Sequence, residues 1–312
     1  MAAPEGKTSR SDLSLFAWHG LNVRVPADWD MVSTQNSRRG GYVGLADEHA
    51  LRLEMRWETV RGKPDPADAA TTYIQGLRDQ AKKDRTEIRV RREVRLASFK
   101  DRPFHCYEWT APDQGAGMAV RCDQCGRMVH VVVRAARGAD IRGLARGIFA
   151  SLRDHPEGER QLWCFYDVEF SCPRRLTLQR SELKTGCIRM EFAGRRRRLE
   201  FVRVSMAQLL VSRQSLRDWF RDFYGENLKR WRFRIEDREV KGHPGLAAQG
   251  RDTLLLNPGK LLGLGRSVQI ACWHCEPSNR LMIVRHVGPP EDAGEFDRAV
   301  DGMRCCPRRG QQ

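Results

Sequence analysis

Alternating apolar and charged residues recur along the chain and predict β-strands. In LRLEMRWE, from Leu51 to Glu58, every second residue is apolar, which is the pattern of a strand with one buried face and one face in water. EIRVRREVRL, from Glu87 to Leu96, alternates in the same way except at Arg92. MAVRCDQCGRMVHVVV, from Met118 to Val133, is typical of a strand, a turn and a second strand. Short turns between consecutive strands predict an antiparallel sheet.

Two segments have helical periodicity instead. In PADAATTYIQGLRDQAKK, Ala70, Tyr73, Ile74 and Leu77 follow the i, i+3, i+4, i+7 spacing of an amphipathic helix. Pro66 suits the first turn of this helix, where no backbone N–H is needed. DIRGLARGIFASL has the same periodicity and predicts a closing helix. We therefore expect helices to cover a face of the sheet.

Similar segments recur 146 to 150 residues apart, in the same order along the chain. The matched segments are Val25-Pro26 with Cys172-Pro173, Leu53-Glu54 with Leu199-Glu200, the helices around Tyr73 and Trp219, and Cys122 with Cys272. This pattern predicts an α+β fold of two tandem repeats, each an antiparallel sheet covered by helices. The predicted organisation is a flexible N-terminus at residues 1–13, a first repeat at 14–156 and a second repeat at 157–312.

One early motif resembles a known family. An early strand ends in Val25-Pro26-Ala27-Asp28-Trp29, and with the strand LRLEMRW and the helix that follows it, this arrangement resembles PsbP-like domains. The second repeat departs from the pattern, since Leu176 stands in the place of the tryptophan. The resemblance implies an antiparallel sheet between helices and a role in binding or assembly rather than catalysis.

Two CxxC pairs are the strongest candidate site. Cys122 with Cys125 and Cys272 with Cys275 could each supply two of the four thiolate ligands that a structural zinc ion takes. If both pairs meet, they form one shared zinc site. If each repeat has its own site, further ligands complete it, and the candidates are Cys106, His155, Cys305 and Cys306. The alternative without metal is that these thiols are small apolar side chains in tight hairpins.

The net charge of +15 raises the hypothesis of a basic, nucleic-acid-associated protein. The basic residues are mostly arginine and are spread over both halves of the chain, which is also what a biased overall composition produces. The N-terminus has no apolar core of a signal peptide, and no apolar run is long enough for a membrane helix. We therefore expect a cytoplasmic protein without a membrane span, whose cysteines are reduced.

No nucleophile elbow and no phosphate-binding loop occurs in the sequence. The preferred hypothesis is a non-enzymatic binding or scaffold protein with a protein partner and zinc as its cofactor. Two alternatives stay open, a nucleic-acid-associated protein and a CxxC thiol oxidoreductase. The oxidoreductase is disfavoured because both pairs precede predicted strands, whereas thioredoxin-type pairs lie at a helix N-terminus that lowers the thiol pKa.

Overall fold

A computed structural model of the chain describes residues 13–37, 39–229, 231–252, 266–289 and 292–306. The predicted flexible N-terminus lies outside these residues except for Leu13. The chain divides into two compact units, the first made of residues 1–157 and 164–166, and the second of residues 158–163 and 167–312. The predicted domain boundaries, 14–156 and 157–312, stay a prediction.

The first unit is built mainly of antiparallel strands. Its strands are β1 (Leu13–Trp18), β2 (Leu21–Pro26), β3 (Asp30–Asn36), β4 (Gly40–Ala46), β5 (Leu51–Thr59), β6 (Arg89–Arg92), β7 (Phe104–Thr110), β8 (Gln114–Cys122) and β9 (Arg127–Ala135). Its helices are α1 (Pro66–Lys83) and α2 (Ile141–Ser151). Strands β3 to β9 form one seven-stranded sheet in the order β3-β4-β5-β9-β8-β7-β6, and β1 and β2 pair antiparallel in a different, four-stranded sheet.

Helix α1 forms where the sequence predicts it. Asp65 caps its N-terminus by accepting a hydrogen bond from the Ala67 N–H at 2.9 Å, and Pro66 occupies the first turn. Its buried face, with Ala70 and Ile74, packs against an apolar cluster on strands β7 to β9 that includes Trp109. Helix α2 packs instead against β2, β8 and β9.

The second unit is also rich in strands. Strand β10 (Arg160–Phe165) begins in this unit and ends in residues that belong to the first. The other strands are β11 (Val168–Pro173), β12 (Thr177–Lys184), β13 (Cys187–Gly194), β14 (Arg197–Ser205), β15 (Trp231–Asp237), β16 (Gly245–Asp252), β17 (Ser267–Cys275) and β18 (Arg280–Gly288). Its helices are α3 (Ala207–Val211), α4 (Leu216–Leu228) and α5 (Ala293–Gly302). Its seven-stranded sheet has the order β12-β13-β14-β18-β17-β16-β15.

The two faces of the second sheet are buried by different elements. Helix α4 covers one face, where Phe220 packs with Val202 of β14 and Cys272 of β17. On the other face, Phe170 of β11 stacks on Phe201 of β14 with ring centroids 4.0 Å apart. A strand and not a helix therefore covers this part of the sheet.

The predicted fold class, an α+β fold of two tandem repeats in which helices cover an antiparallel sheet, is wrong. Of the residues that the structure describes, 50% are strand and 21% are helix, so this part of the protein has a sheet-rich fold. The physical reason is that a strand, Val168–Pro173, covers part of one face of the second sheet, where Phe170 stacks on Phe201, although the prediction assigned the covering role to helices. Among the described helices, none is both long and apolar enough to cross a membrane.

The proposed boundary between the domains predicts a site of limited proteolysis. Glu157, Gly158 and Glu159 are exposed, so a glutamate-specific protease should cut first after Glu157 and leave two fragments of similar mass. Exposed loops are the preferred sites of proteolytic nicking. Electrophoresis and mass spectrometry of a time course measure the first products. First cuts inside residues 20–150 would contradict the predicted boundary.

Candidate metal centre

Four metal-ligating side chains meet at one end of the second unit, and we call them the second-unit cluster. They are His243, Cys275, Cys305 and Cys306, and their ligand atoms all lie within 4.8 Å of one another. His243 Nε2 is 3.4 Å from the Sγ atoms of both Cys305 and Cys306. Cys306 Sγ is 3.7 Å from Cys275 Sγ and 3.8 Å from Cys305 Sγ.

These distances match the corners of a zinc-centred tetrahedron. With Zn–S bonds of about 2.3 Å and Zn–N bonds of about 2.0–2.1 Å, tetrahedral angles place sulfur atoms about 3.8 Å apart and sulfur and nitrogen about 3.5 Å apart. The observed sulfur–sulfur distances are 3.7 and 3.8 Å, and the observed sulfur–nitrogen distances are both 3.4 Å. The cluster therefore has the donor set and the spacing to hold a tetrahedral metal ion.

Strand geometry brings only one cysteine of the second CxxC pair to this cluster. Cys272 and Cys275 both belong to β17, and residues three apart on a strand point to opposite faces of the sheet. Cys272 lies in the apolar core beneath α4, while Cys275 lies beside Cys306. The predicted use of Cys272 and Cys275 as a paired knuckle therefore does not fit the strand.

A tight turn positions the histidine ligand. The backbones of Val240 and His243 exchange two hydrogen bonds, each 3.0 Å long. The two residues between them, Lys241 and Gly242, have φ values of 52° and 78°, as a two-residue hairpin turn requires. Gly242 tolerates this left-handed conformation because it has no Cβ atom.

Lys241 ties this turn to the end of α5. Its Nζ donates to the carbonyl oxygens of Val300, Asp301 and Met303 at 3.3, 2.7 and 2.9 Å. A cation at this position also interacts favourably with the negative end of the helix dipole. Because Cys305 follows two residues after Met303, this contact holds the cysteines of the cluster near His243.

A second group of potential ligands lies in the first unit, and we call it the first-unit cluster. Its members are Cys122, Cys125, Asp154 and His155. Ligand atoms of Cys122, Asp154 and His155 lie within 4.8 Å of one another, and Cys125 Sγ is 3.4 Å from Asp154 Oδ2. The other carboxylate oxygen, Asp154 Oδ1, accepts a hydrogen bond from Arg102 Nη1 at 2.6 Å.

One thiol in each cluster, Cys125 and Cys306, has a raised pKa. Burial, followed by the negative charge of Asp154, raises the pKa of Cys125 to about 12. Burial, followed by a hydrogen bond with Cys275, raises the pKa of Cys306 to about 12. A redox-active thiol needs a lowered pKa, so these two cysteines lack the acidity that a thiol oxidoreductase uses.

The pKa of Asp154 has a different balance of causes. Burial raises it, but a hydrogen bond from Cys122 and the charge and hydrogen bond of Arg102 outweigh burial, so the net pKa is lowered. Asp154 is therefore a carboxylate at neutral pH, with a negative charge that faces the two thiols.

Six of the predicted ligands lie in the two clusters, and two lie outside them. Cys122, Cys125 and His155 belong to the first-unit cluster, and Cys275, Cys305 and Cys306 belong to the second-unit cluster. Cys106 is buried on β7, paired across the sheet with Met118, and Cys272 is buried in the core. Metal binding by any of these residues stays a prediction, although the Cys and His groups could hold a metal ion.

Two members of the clusters were not predicted, His243 and Asp154. His243 lies in KGHPG, a turn signal that predicts a loop but does not indicate which distant residues it meets. Asp154 directly precedes the candidate His155, so a search for oxygen ligands beside that histidine could have found it.

Comparison with known proteins adds little to this geometry. No family model matches the chain, and no curated protein matches it. The immunity protein TplEi of the T6SS from Pseudomonas aeruginosa, complexed with "L" peptide, is 12% identical, with a TM-score of 0.35 over 95% of this chain and 99% of that chain. Its apo structure is 13% identical, with a TM-score of 0.34 over 95% and 97% of the two chains.

A crystal structure from Bacteroides thetaiotaomicron VPI-5482 is 13% identical, with a TM-score of 0.26 over 50% of each chain. All three TM-scores are below 0.5, so these likenesses support no argument about fold or function.

Replacing Lys241 tests how the turn and α5 hold the second-unit cluster. Lys241→Met removes three hydrogen bonds from a charged donor and should lower the free energy of unfolding by about 1–2 kcal/mol. Urea unfolding followed by circular dichroism measures this change. Lys184→Met, at an exposed position on β12, is the matched control and should leave stability unchanged. Equal stability of the two variants would contradict the role of Lys241.

Proposed function

We propose that the protein is a non-enzymatic binding protein whose second unit is held together by a structural zinc ion, bound by His243, Cys275, Cys305 and Cys306. One observation carries the zinc part of this proposal: four of the six separations among one imidazole nitrogen and three thiol sulfurs are 3.4 to 3.8 Å, close to tetrahedral spacing, and all six are within 4.8 Å. The binding role extends the hypothesis drawn from the sequence.

The donor set favours zinc over other common metal ions. Soft thiolate ligands select zinc, copper(I) or iron–sulfur clusters, whereas magnesium and calcium prefer oxygen. Three cysteines and one histidine are a common ligand set of structural zinc sites. Zinc also has no redox chemistry of its own, which fits a role in stability.

The number of ligands favours a structural role over a catalytic one. A catalytic zinc ion keeps one coordination position for water or substrate, whereas a structural ion is closed by four protein ligands. The second-unit cluster offers four. The ion would join three segments that are distant in sequence, the turn at His243, the end of β17 and the segment after α5. Closing such long loops removes conformational entropy from the unfolded chain.

The two alternative functions have less support. The raised pKa values of Cys125 and Cys306 disfavour a thiol oxidoreductase. Some arginines pair with carboxylates inside the units, as Arg285 does with Glu200 at 2.7 Å. Such pairs leave the net excess of +15 unchanged, so the nucleic-acid alternative is weakened only by the spread of basic residues over both halves of the chain.

A protein partner and a cytoplasmic location complete the proposal. All ten cysteines are free thiols, and thiolate ligands persist in a reducing compartment such as the cytoplasm. The partner itself is an expectation carried over from the absence of a catalytic motif in the sequence.

Metal analysis of variants tests the zinc site. Protein purified without chelator should lose one equivalent of zinc per chain when His243→Ala or Cys275→Ser is introduced, because each change removes a ligand. Both variants should also unfold at lower temperature, since zinc binding energy contributes to folding in such sites. Inductively coupled plasma mass spectrometry and thermal unfolding measure the two effects.

The matched control is Cys272→Ala, which changes the other cysteine of the same CxxC pair. Cys272 lies in the core beneath α4, so this variant should keep all of its zinc and lose only packing energy. Unchanged zinc in both ligand variants would overturn the proposed site. Loss of zinc from folded Cys272→Ala would favour the shared four-cysteine site instead.

Nucleic-acid binding has its own test. Because the basic residues are spread over both halves of the chain, we expect only non-specific binding to a 20-base-pair DNA duplex, with a Kd of about 10⁻⁶ M or weaker at physiological salt. Fluorescence anisotropy over a series of salt concentrations measures this affinity. Sub-micromolar binding at about 150 mM salt, with a steep salt dependence, would favour the nucleic-acid alternative.

A further inference from the structure

The first-unit cluster has a donor set of its own that the zinc proposal for the second unit does not use. We propose that Cys122, Cys125, Asp154 and His155 form a separate binding site for a divalent cation of the zinc class, with lower affinity than the second-unit cluster. The residues of this site lie in a different unit from those of the second-unit cluster, and only the order of affinities rests on the proposed function.

Cys122, Asp154 and His155 each have a ligand atom within 4.8 Å of the others, and Cys125 adjoins this group through the second carboxylate oxygen of Asp154. For zinc with a carboxylate ligand, the bond lengths imply sulfur–oxygen distances of about 3.6 Å and nitrogen–oxygen distances of about 3.4 Å. Cys125 Sγ is 3.4 Å from Asp154 Oδ2, and His155 Nε2 is 3.9 Å from Asp154 Oδ1. Cys122 Sγ lies within 4.8 Å of the ligand atoms of Asp154 and His155.

The turn after β8 directs both thiols to the same side, unlike the CxxC pair on β17. Strand β8 ends at Cys122, so Cys125 lies in the turn and is not subject to strand alternation. The Gly126 N–H donates to the Cys122 carbonyl at 3.0 Å, and Gly126 has a φ of 66°. This is a tight turn that needs glycine at its end.

The segment that carries Asp154 and His155 is held independently of the thiols. Asn22 and Arg153 exchange backbone hydrogen bonds of 2.8 and 2.9 Å. Arg127 Nη1 donates to the carbonyl oxygens of His19 at 2.8 Å and of Asp154 at 3.5 Å. The ligand atoms are therefore preorganised without any contribution from a metal ion, as a binding site requires.

Arg102 explains both the orientation of Asp154 and the lower affinity. Its guanidinium holds Oδ1 at 2.6 Å and leaves Oδ2 facing Cys125, as an outer ligand that orients a metal-binding carboxylate does. Its positive charge also repels a cation bound nearby. The second-unit cluster offers three sulfur ligands, whereas this cluster offers two, and softer ligands bind zinc-class ions more strongly.

Cobalt(II) is the probe for this site, because thiolate-bound cobalt absorbs visible and near-ultraviolet light. Metal-free, reduced full-length protein should bind two equivalents of Co²⁺, the second at least about tenfold more weakly than the first. His243→Ala should remove the tighter equivalent and leave the weaker one. Cys125→Ser and His155→Ala should each remove the weaker equivalent and leave the tighter one.

The matched controls are Cys106→Ala, a buried cysteine outside both clusters, and His49→Ala, an exposed histidine; both should keep two equivalents. Circular dichroism verifies that each variant is folded, and His155→Ala, at a half-buried position, serves if a cysteine variant does not fold. The proposal is overturned if wild-type protein binds one equivalent and neither Cys125→Ser nor His155→Ala changes its spectrum. A single equivalent that only His243→Ala removes would overturn this site while supporting the zinc site of the second unit.

Discussion

The alternation of side chains across an antiparallel strand decides which residues of this protein can meet. On β17, Cys272 and Cys275 leave the sheet on opposite faces because they are three residues apart. One joins the core beneath α4 and the other joins a group of metal-ligating side chains. Strand β8 ends at Cys122, so Cys125 lies in the following turn, where side chains do not alternate between two faces. Both thiols therefore lie beside Asp154. The same CxxC spacing therefore produces two different arrangements of ligands.

The same alternation places a carboxylate on the helix-covered face of each large sheet. Glu54 of β5 receives Arg134 at 3.1 Å and the hydroxyl of Tyr73 at 3.4 Å. Glu200 of β14 is buried, with Arg285 at 2.7 Å and Arg189 at 3.3 Å. A buried carboxylate is costly unless charged partners compensate it. These pairs give part of the arginine content a structural purpose.

The two clusters compensate their charges differently. In the first unit, Arg102 already neutralises Asp154 and the thiols donate hydrogen bonds to its carboxylate, so the group is satisfied as hydrogen-bonded side chains. In the second unit, the potential ligand atoms are three sulfurs and one imidazole nitrogen. Neutral thiols and an imidazole make only weak hydrogen bonds with one another, so hydrogen bonding alone stabilises this cluster little. This contrast supports the order of affinities proposed for the two sites.

The sequence by itself determined the elements whose pattern is local. Helix α1 spans the predicted segment from Pro66 to Lys83, β5 contains the alternating LRLEMRWE, and the hairpin of β8 and β9 forms around CDQCG. Candidate ligands such as Cys275 and His155 were also predicted, because cysteine and histidine are common zinc ligands and can be identified from the sequence alone.

Only the tertiary structure decided how those elements cover one another and which ligands meet. EIRVRREVRL forms a strand only at Arg89–Arg92, and the hairpin strand β11 packs on the sheet where a helix was expected. His243 reaches Cys305 and Cys306 because Lys241 ties its turn to α5. Such contacts join residues that are about 60 positions apart, and no periodicity in a single sequence encodes them, since period-two and period-3.6 patterns report only the local faces of strands and helices.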